Sequence, residues 1–237
     1  MLTFLKWLFT PVYLISISIL NFSIYLKNIT LAKISLRICI YYLISYSISK
    51  NNLEKTGIID KEYVQAHLLT NKPKVDALDE FIYGEVPCFS FKKIINSLSL
   101  KNHSELSFLD LGCGKGKLVF CANLLFGFKA IGVDLVPTYI SYANKLVASY
   151  NLAGLEFLNQ DLLDIDYSCA DIIHISWTCF SDTTKELITQ KLKSEAKPSA
   201  YIITTSQPIS HENIKLIKTL LLPLSWGQGY VYIHSLK

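Results

Sequence analysis

Three carboxylates and one glycine-rich loop are the residues of this chain whose types and spacing suit chemistry. Asp110-Leu111-Gly112-Cys113-Gly114-Lys115-Gly116-Lys117 follows a short apolar run and opens a helical pattern. Glycines at such a place let the backbone approach a ligand without interference from a Cβ. The loop does not suit a phosphate. A dinucleotide fingerprint requires glycine where Lys117 stands, and a phosphate-binding lysine loop requires Ser or Thr where Leu118 stands. Asp110, at the end of the strand, would repel a phosphate and attract a cationic group. A second acid, Asp134, lies 24 residues further on at the end of the next apolar run, where a carboxylate accepts hydrogen bonds from ribose hydroxyls. A third, Asp161, follows the third run in Leu158-Asn159-Gln160-Asp161, placed to accept from an adenine amino group. Any one of these acids alone would read as a loop or helix cap. Three at successive strand ends beside a glycine loop are not well explained by capping.

An adenosine carrying a cationic tail meets all three acids, and S-adenosylmethionine is such a molecule. The pattern D-x-G-x-G-x-G, with acids after the second and third strands, resembles the class I S-adenosylmethionine-dependent methyltransferases over about residues 80–237. That resemblance implies a Rossmann-like α/β fold with a seven-stranded sheet whose last strand is antiparallel. Tyr83-Gly84-Glu85 is similar to a loop of the Dot-type (disruptor of telomeric silencing) lysine methyltransferases and their bacterial relatives. The resemblance makes Tyr83, Gly84 and Glu85 cofactor contacts, with Glu85 facing the amino-acid moiety. They join Asp110, Gly112, Cys113, Gly114, Gly116, Asp134 and Asp161 in the expected cofactor site. Gln160-Asp161-Leu162 and the Ser225-Trp226-Gly227 turn are similar to those proteins as well. The chain departs from them after the fourth strand, where Ser176-Trp177-Thr178-Cys179-Phe180-Ser181-Asp182 replaces their Asn-Asn-Phe segment. Tyr83 and Trp177 are the candidate catalytic pair. Trp177, Cys179 and Phe180 are expected to wall an apolar channel in which a lysine acceptor would lose its proton. His174 reads as a satisfied core histidine. The acceptor expected from this resemblance is a protein lysine; a lipid or quinone-like molecule, or a regulatory role without catalysis, are the alternatives.

The elements that must hold these residues alternate. Phe91, Ile94, Ile95 and Leu98 mark an amphipathic helix after Pro87. Strands are expected at Phe108–Leu111, Ala130–Asp134, Leu155–Asn159, Asp171–Ser176 and Tyr201–Ser206, with helices at Lys117–Leu125, from Pro137 to Tyr150 and at Thr184–Leu192. Two final strands, Ile214–Leu221 and Tyr230–His234, flank the turn-rich Ser225–Gly229. Strands alternating with helices imply a parallel sheet covered on both faces.

Composition bounds the rest. Of 237 residues, 51% are hydrophobic and 18% charged, which excludes a disordered chain. The net charge of +4 is carried by the first 50 residues, whose five basic side chains meet no acid. The remainder, with 18 basic and 19 acidic side chains, lacks the basic field that nucleic acid requires. Six cysteines with no C-x-x-C pair and no Cys/His cluster read as reduced thiols rather than ligands, and no metal is expected. Trp7 to Leu26 is 20 uncharged residues between Lys6 and Lys27, long enough to span a membrane. The flanking Lys27, Lys33 and Arg37 would hold the rest in the cytoplasm. A packed helix on a soluble cytoplasmic protein is the other reading. A second apolar run, Ile38 to Ser49, is too short to span and reads as interfacial or packed. The expected organisation is a hydrophobic segment at 1–50, a connector at 51–79 and the catalytic domain at 80–237.

Overall fold

The computed structural model describes Leu36, Arg37, Ile40 and Ile44, then residues 85–100, 105–177 and 180–237. The Trp7–Leu26 segment, the connector, Tyr83, Gly84, Thr178 and Cys179 lie outside the described residues. Helix α1 (Cys88–Asn96) precedes strand β1 (Ser107–Leu111), and the chain then runs α2 (Lys117–Phe126), β2 (Lys129–Asp134), α3 (Pro137–Ser149) and β3 (Leu155–Asn159). After a short 3-10 turn at Tyr167–Cys169 come β4 (Ile172–Ser176), α4 (Asp182–Glu195), β5 (Tyr201–Thr205), β6 (Ile214–Leu224) and β7 (Gly227–Leu236).

The strands form one sheet in the order β3-β2-β1-β4-β5-β7-β6. The first five pair in parallel, and β7 runs antiparallel to both its neighbours. Strand order reverses between β1 and β4, which opens a crevice at their C-terminal ends, where α/β sheets hold ligands. Both faces are covered. On one, α1, α2 and α3 bury Phe91, Ile94, Val119, Phe120 and Ala143 against Phe108 and Ile172. On the other, Ile188 and Leu192 of α4 close over Leu109, Leu111, Ile173 and Ile175. Continuous burial in β1 and β4 follows from helices on both sides.

The last hairpin is longer and tighter than its sequence suggests. Both strands extend to Leu224 and Gly227, leaving Ser225-Trp226 as a two-residue turn in place of the turn-rich Ser225–Gly229 run expected there. Gly227, at φ 132°, supplies the backbone conformation needed at the turn. A Cβ on Gly229 would stand 2.4 Å from Leu224 Cδ1, so that glycine sits inside the strand where the hairpin closes on itself.

Among the described residues no helix is long and apolar enough to cross a membrane. The described part of the second apolar run packs. Ile44 is fully buried, Ile40 lies against the same core, and the Arg37 guanidinium donates to the Asn123 carbonyl on α2.

Candidate active site

The glycine loop spans the crevice. Its shape is set by backbone that only glycine adopts readily: Gly112, Gly114 and Gly116 have φ of 77°, 54° and 81°. The amides of Gly112 and Cys113 both donate to the Val133 carbonyl at 2.9 Å, which ties the loop to the end of β2. Phe157 of β3 packs beneath Gly116, where a Cβ would come within 2.2 Å of the ring.

Asp134 completes that tie. Its Oδ2 accepts from the Gly114 amide at 2.7 Å and its Oδ1 from the Val136 amide at 2.9 Å. The carboxylate is thus turned inward to organise the loop, a role its position in the sequence does not disclose. Each oxygen retains a second lone pair for a hydroxyl donor. Burial, only partly offset by the amide hydrogen bonds, raises the Asp134 carboxyl from 3.8 to about 6. The native state therefore holds this proton to higher pH than the unfolded chain. The associated stability is present below about pH 4 and is lost as pH rises through about 6. Acceptance from ribose hydroxyls needs the opposite, ionised form. S-adenosylhomocysteine affinity is expected to rise as pH goes from 5 to 7 and to level off above it. Calorimetry at half-unit steps checks this; a flat profile through pH 6 would exclude Asp134 as the acceptor.

Asp161 keeps a capping function, with Oδ1 accepting from the Leu163 amide at 2.9 Å. Cys113 is buried, and its thiol lies well above its ordinary range through desolvation, reinforced by the charges of Asp134 and Asp110. It lines the loop as a neutral group and is no nucleophile.

Glu85 pairs with Lys117 in the first turn of α2, Oε2 to Nζ 2.6 Å. Its backbone is held as well: the Glu85 amide donates to Ser225 Oγ at 2.8 Å, and the Ser225 amide to the Glu85 carbonyl at 3.0 Å. The segment entering α1 is thereby fastened to both the glycine-loop helix and the β6–β7 turn. Lys117, read from the sequence only as a departure from phosphate fingerprints, is the partner that sequence reasoning missed.

At the end of β4 the aromatic residues divide their work. Trp177 is not on the rim: it is 3% exposed and belongs to the core under α4. Phe180 carries the approach to the loop. Its Cζ would lie 3.5 Å from a Cβ on Gly112, and its ring meets Trp177 edge-on, with centroids 6.3 Å apart. Trp177 lies within the core cluster under α4, and Phe180 packs half-buried against that same cluster. His174 is half satisfied. Its Nδ1 lies 2.7 Å from Asp110 Oδ1, while Nε2 is buried with no hydrogen-bond partner among the described residues.

A glycine cradle of this shape, with acids at the ends of β1, β2 and β3, fits an adenosine with a cationic tail. A family profile described as "Methyltransferase domain" matches residues 102–222, just over half of the chain. The chain belongs to that family. It carries a class I S-adenosylmethionine-dependent methyltransferase domain. The Ribosomal protein L11 methyltransferase of Clostridium botulinum (strain Alaska E43 / Type E3) is 29% identical over 117 residues, which cover 49% of this chain and 37% of that protein. The Carboxy-S-adenosyl-L-methionine synthase of Campylobacter jejuni subsp. jejuni serotype O:2 is 27% identical over 157 residues, 64% of this chain and 66% of that one. The chain thus matches less than two thirds of the length of either relative. Among solved structures, an RNA methyltransferase from Salinibacter ruber in complex with S-adenosyl-L-homocysteine shares the fold. Its TM-score is 0.54 at 18% identity, covering 64% of this chain and 92% of that one.

Proposed function

We propose that this methyltransferase acts on a lysine amine of a protein, with Asp110, Gly112, Gly114, Gly116, Asp134 and Asp161 holding the cofactor. The observation that carries the reading is the Phe180 ring set over Gly112 and backed by Trp177, an apolar wall where acceptor and cofactor would meet. Its likeness to the Dot-type lysine enzymes in Tyr83-Gly84-Glu85 supports the reading, as does a relative named for ribosomal protein L11. Glu85, fastened to Lys117 and Ser225, would stand at the amino-acid end of the cofactor.

Bound S-adenosylmethionine supplies a methyl on a sulfonium whose sulfur departs as a neutral thioether. The protein's work is alignment and exclusion of water. The glycine loop fixes the depth at which the ligand sits, and Asp134 fixes the loop. Phe180 removes water from the approaching amine, which favours the neutral, nucleophilic form over the ammonium. No side chain needs to take the proton in the displacement step itself if the amine arrives neutral.

A small apolar acceptor is the second reading. It is favoured by Trp226 and Tyr230, 43% and 51% exposed on the hairpin whose turn is bonded to Glu85. Incubating the full chain with tritiated-methyl cofactor and separated membrane and soluble extracts distinguishes the two. Label in protein that mass spectrometry places on a lysine amine supports the first reading. Label extracted into organic solvent, or placed on oxygen or ring carbon, refutes it. Phe180→Ala should cut turnover about tenfold or more while changing S-adenosylhomocysteine affinity far less, since the wall acts on the acceptor. Equal losses in both would assign Phe180 to cofactor binding.

A further inference from the structure

Asp110 and His174 are register partners on adjacent parallel strands, and both are 3% exposed. They share a sheet face with Phe108 and Ile172, two residues before each, which sit in the core beneath α1 and α2. His174 Nδ1 lies 2.7 Å from Asp110 Oδ1. A carboxylate oxygen can only accept, so Nδ1 is the donor of this bond. The far nitrogen, Nε2, is buried without a hydrogen-bond partner among the described residues. A half-satisfied imidazole in a core costs free energy that an apolar side chain would avoid, so packing does not account for histidine here.

What the imidazole does supply is a donor aimed at one oxygen of Asp110. The carboxylate cannot rotate while Oδ1 is held, and its side chain keeps 5% of its surface open, two residues before the glycine loop begins. We propose that His174 is a positioning residue for cofactor recognition. Its Nδ1–H holds Asp110 so that the second carboxylate oxygen accepts from the ammonium of the cofactor's amino-acid tail. This inference rests on the reading that Asp110 faces that tail.

Two amide variants separate this role from a structural one. In His174→Asn the amide nitrogen stands near the place of Nδ1 and can still donate to Asp110. In His174→Gln it stands near the place of Nε2 and cannot hold Oδ1 in the same way. The full chain is titrated with S-adenosylhomocysteine, which carries the amino-acid tail, and with 5′-methylthioadenosine, which lacks it. His174→Gln should weaken S-adenosylhomocysteine about tenfold and 5′-methylthioadenosine less than about twofold, the loss of one charge-assisted hydrogen bond. His174→Asn should stay within about twofold of the unsubstituted protein on both ligands. The proposal is overturned if the two variants behave alike, or if His174→Gln weakens both ligands in parallel. Asp110→Asn reports on the underlying reading. If it leaves the ratio of the two affinities unchanged, Asp110 does not face the tail, and the failure lies there rather than with His174.

Discussion

Asp134→Ala is expected to weaken S-adenosylhomocysteine binding about 100-fold or more. The side chain accepts from the Gly114 amide at 2.7 Å and from the Val136 amide at 2.9 Å. Hydrogen bonds to a charged acceptor are worth about 1.5–3 kcal/mol each, and each 1.4 kcal/mol is about a factor of ten in affinity. Alanine removes both bonds and whatever the ribose hydroxyls donate to the same carboxylate. It also releases Gly114, whose φ of 54° the bond helps to hold. Asp134→Asn refines the test. It preserves shape and carries no charge to bury, yet its single acceptor oxygen can satisfy only one of the two backbone donors. Its affinity should still drop, because the amide nitrogen turns a donor toward one of two donors. Affinity of the alanine variant within about threefold of the unsubstituted protein would remove Asp134 from the site.

The second large effect is on stability. Gly116→Ala should cost about 2–5 kcal/mol, combining a left-handed backbone at about 1–2 kcal/mol with overpacking at about 1–3 kcal/mol. Gly116 precedes α2 at φ 81°, and its new Cβ would lie 2.2 Å from Phe157 Cε1 and 2.6 Å from Cζ. The ring is hemmed in by Phe120, with centroids 5.1 Å apart, so it cannot simply swing away. Gly127, which ends the same helix, supplies the control. It has the same φ of 81° with nothing within 4 Å of an added Cβ, so Gly127→Ala should show only the backbone cost. Urea melts of the two variants compare them directly. Equal losses would mean that the Phe157 contact contributes nothing and that the loop can shift to make room.

Most of the scaffold was legible in the amino-acid order. The run Leu155–Asn159 and the helix opened by Pro137 appear where their periodicity and capping place them, and the expected Asp171–Ser176 strand begins one residue later, at Ile172. These signals are local: alternation of apolar residues and the stiffness of proline act over a few residues. The D-x-G-x-G-x-G loop was legible for the same reason, since its positive φ angles demand glycine whatever surrounds it. The two-residue hairpin turn was not. The run Ser225–Gly229 reads as loop, and only the pairing of Leu224 with Gly227 and the approach of Leu224 to Gly229 draw those glycines into a strand.

Within the site, the residue types were set by the sequence and their partners by the fold. The acids at the strand ends could be named from spacing. That Asp134 faces the Gly114 amide, that Glu85 meets Lys117, and that Trp177 is buried while Phe180 stands over Gly112 were decided by tertiary structure. Asp110 and His174 stand 64 residues apart and meet only because β1 and β4 lie side by side at the reversal of strand order. A side chain's type states which bonds it can make. Which of them it makes depends on sheet register, and register is a property of strands distant in the chain.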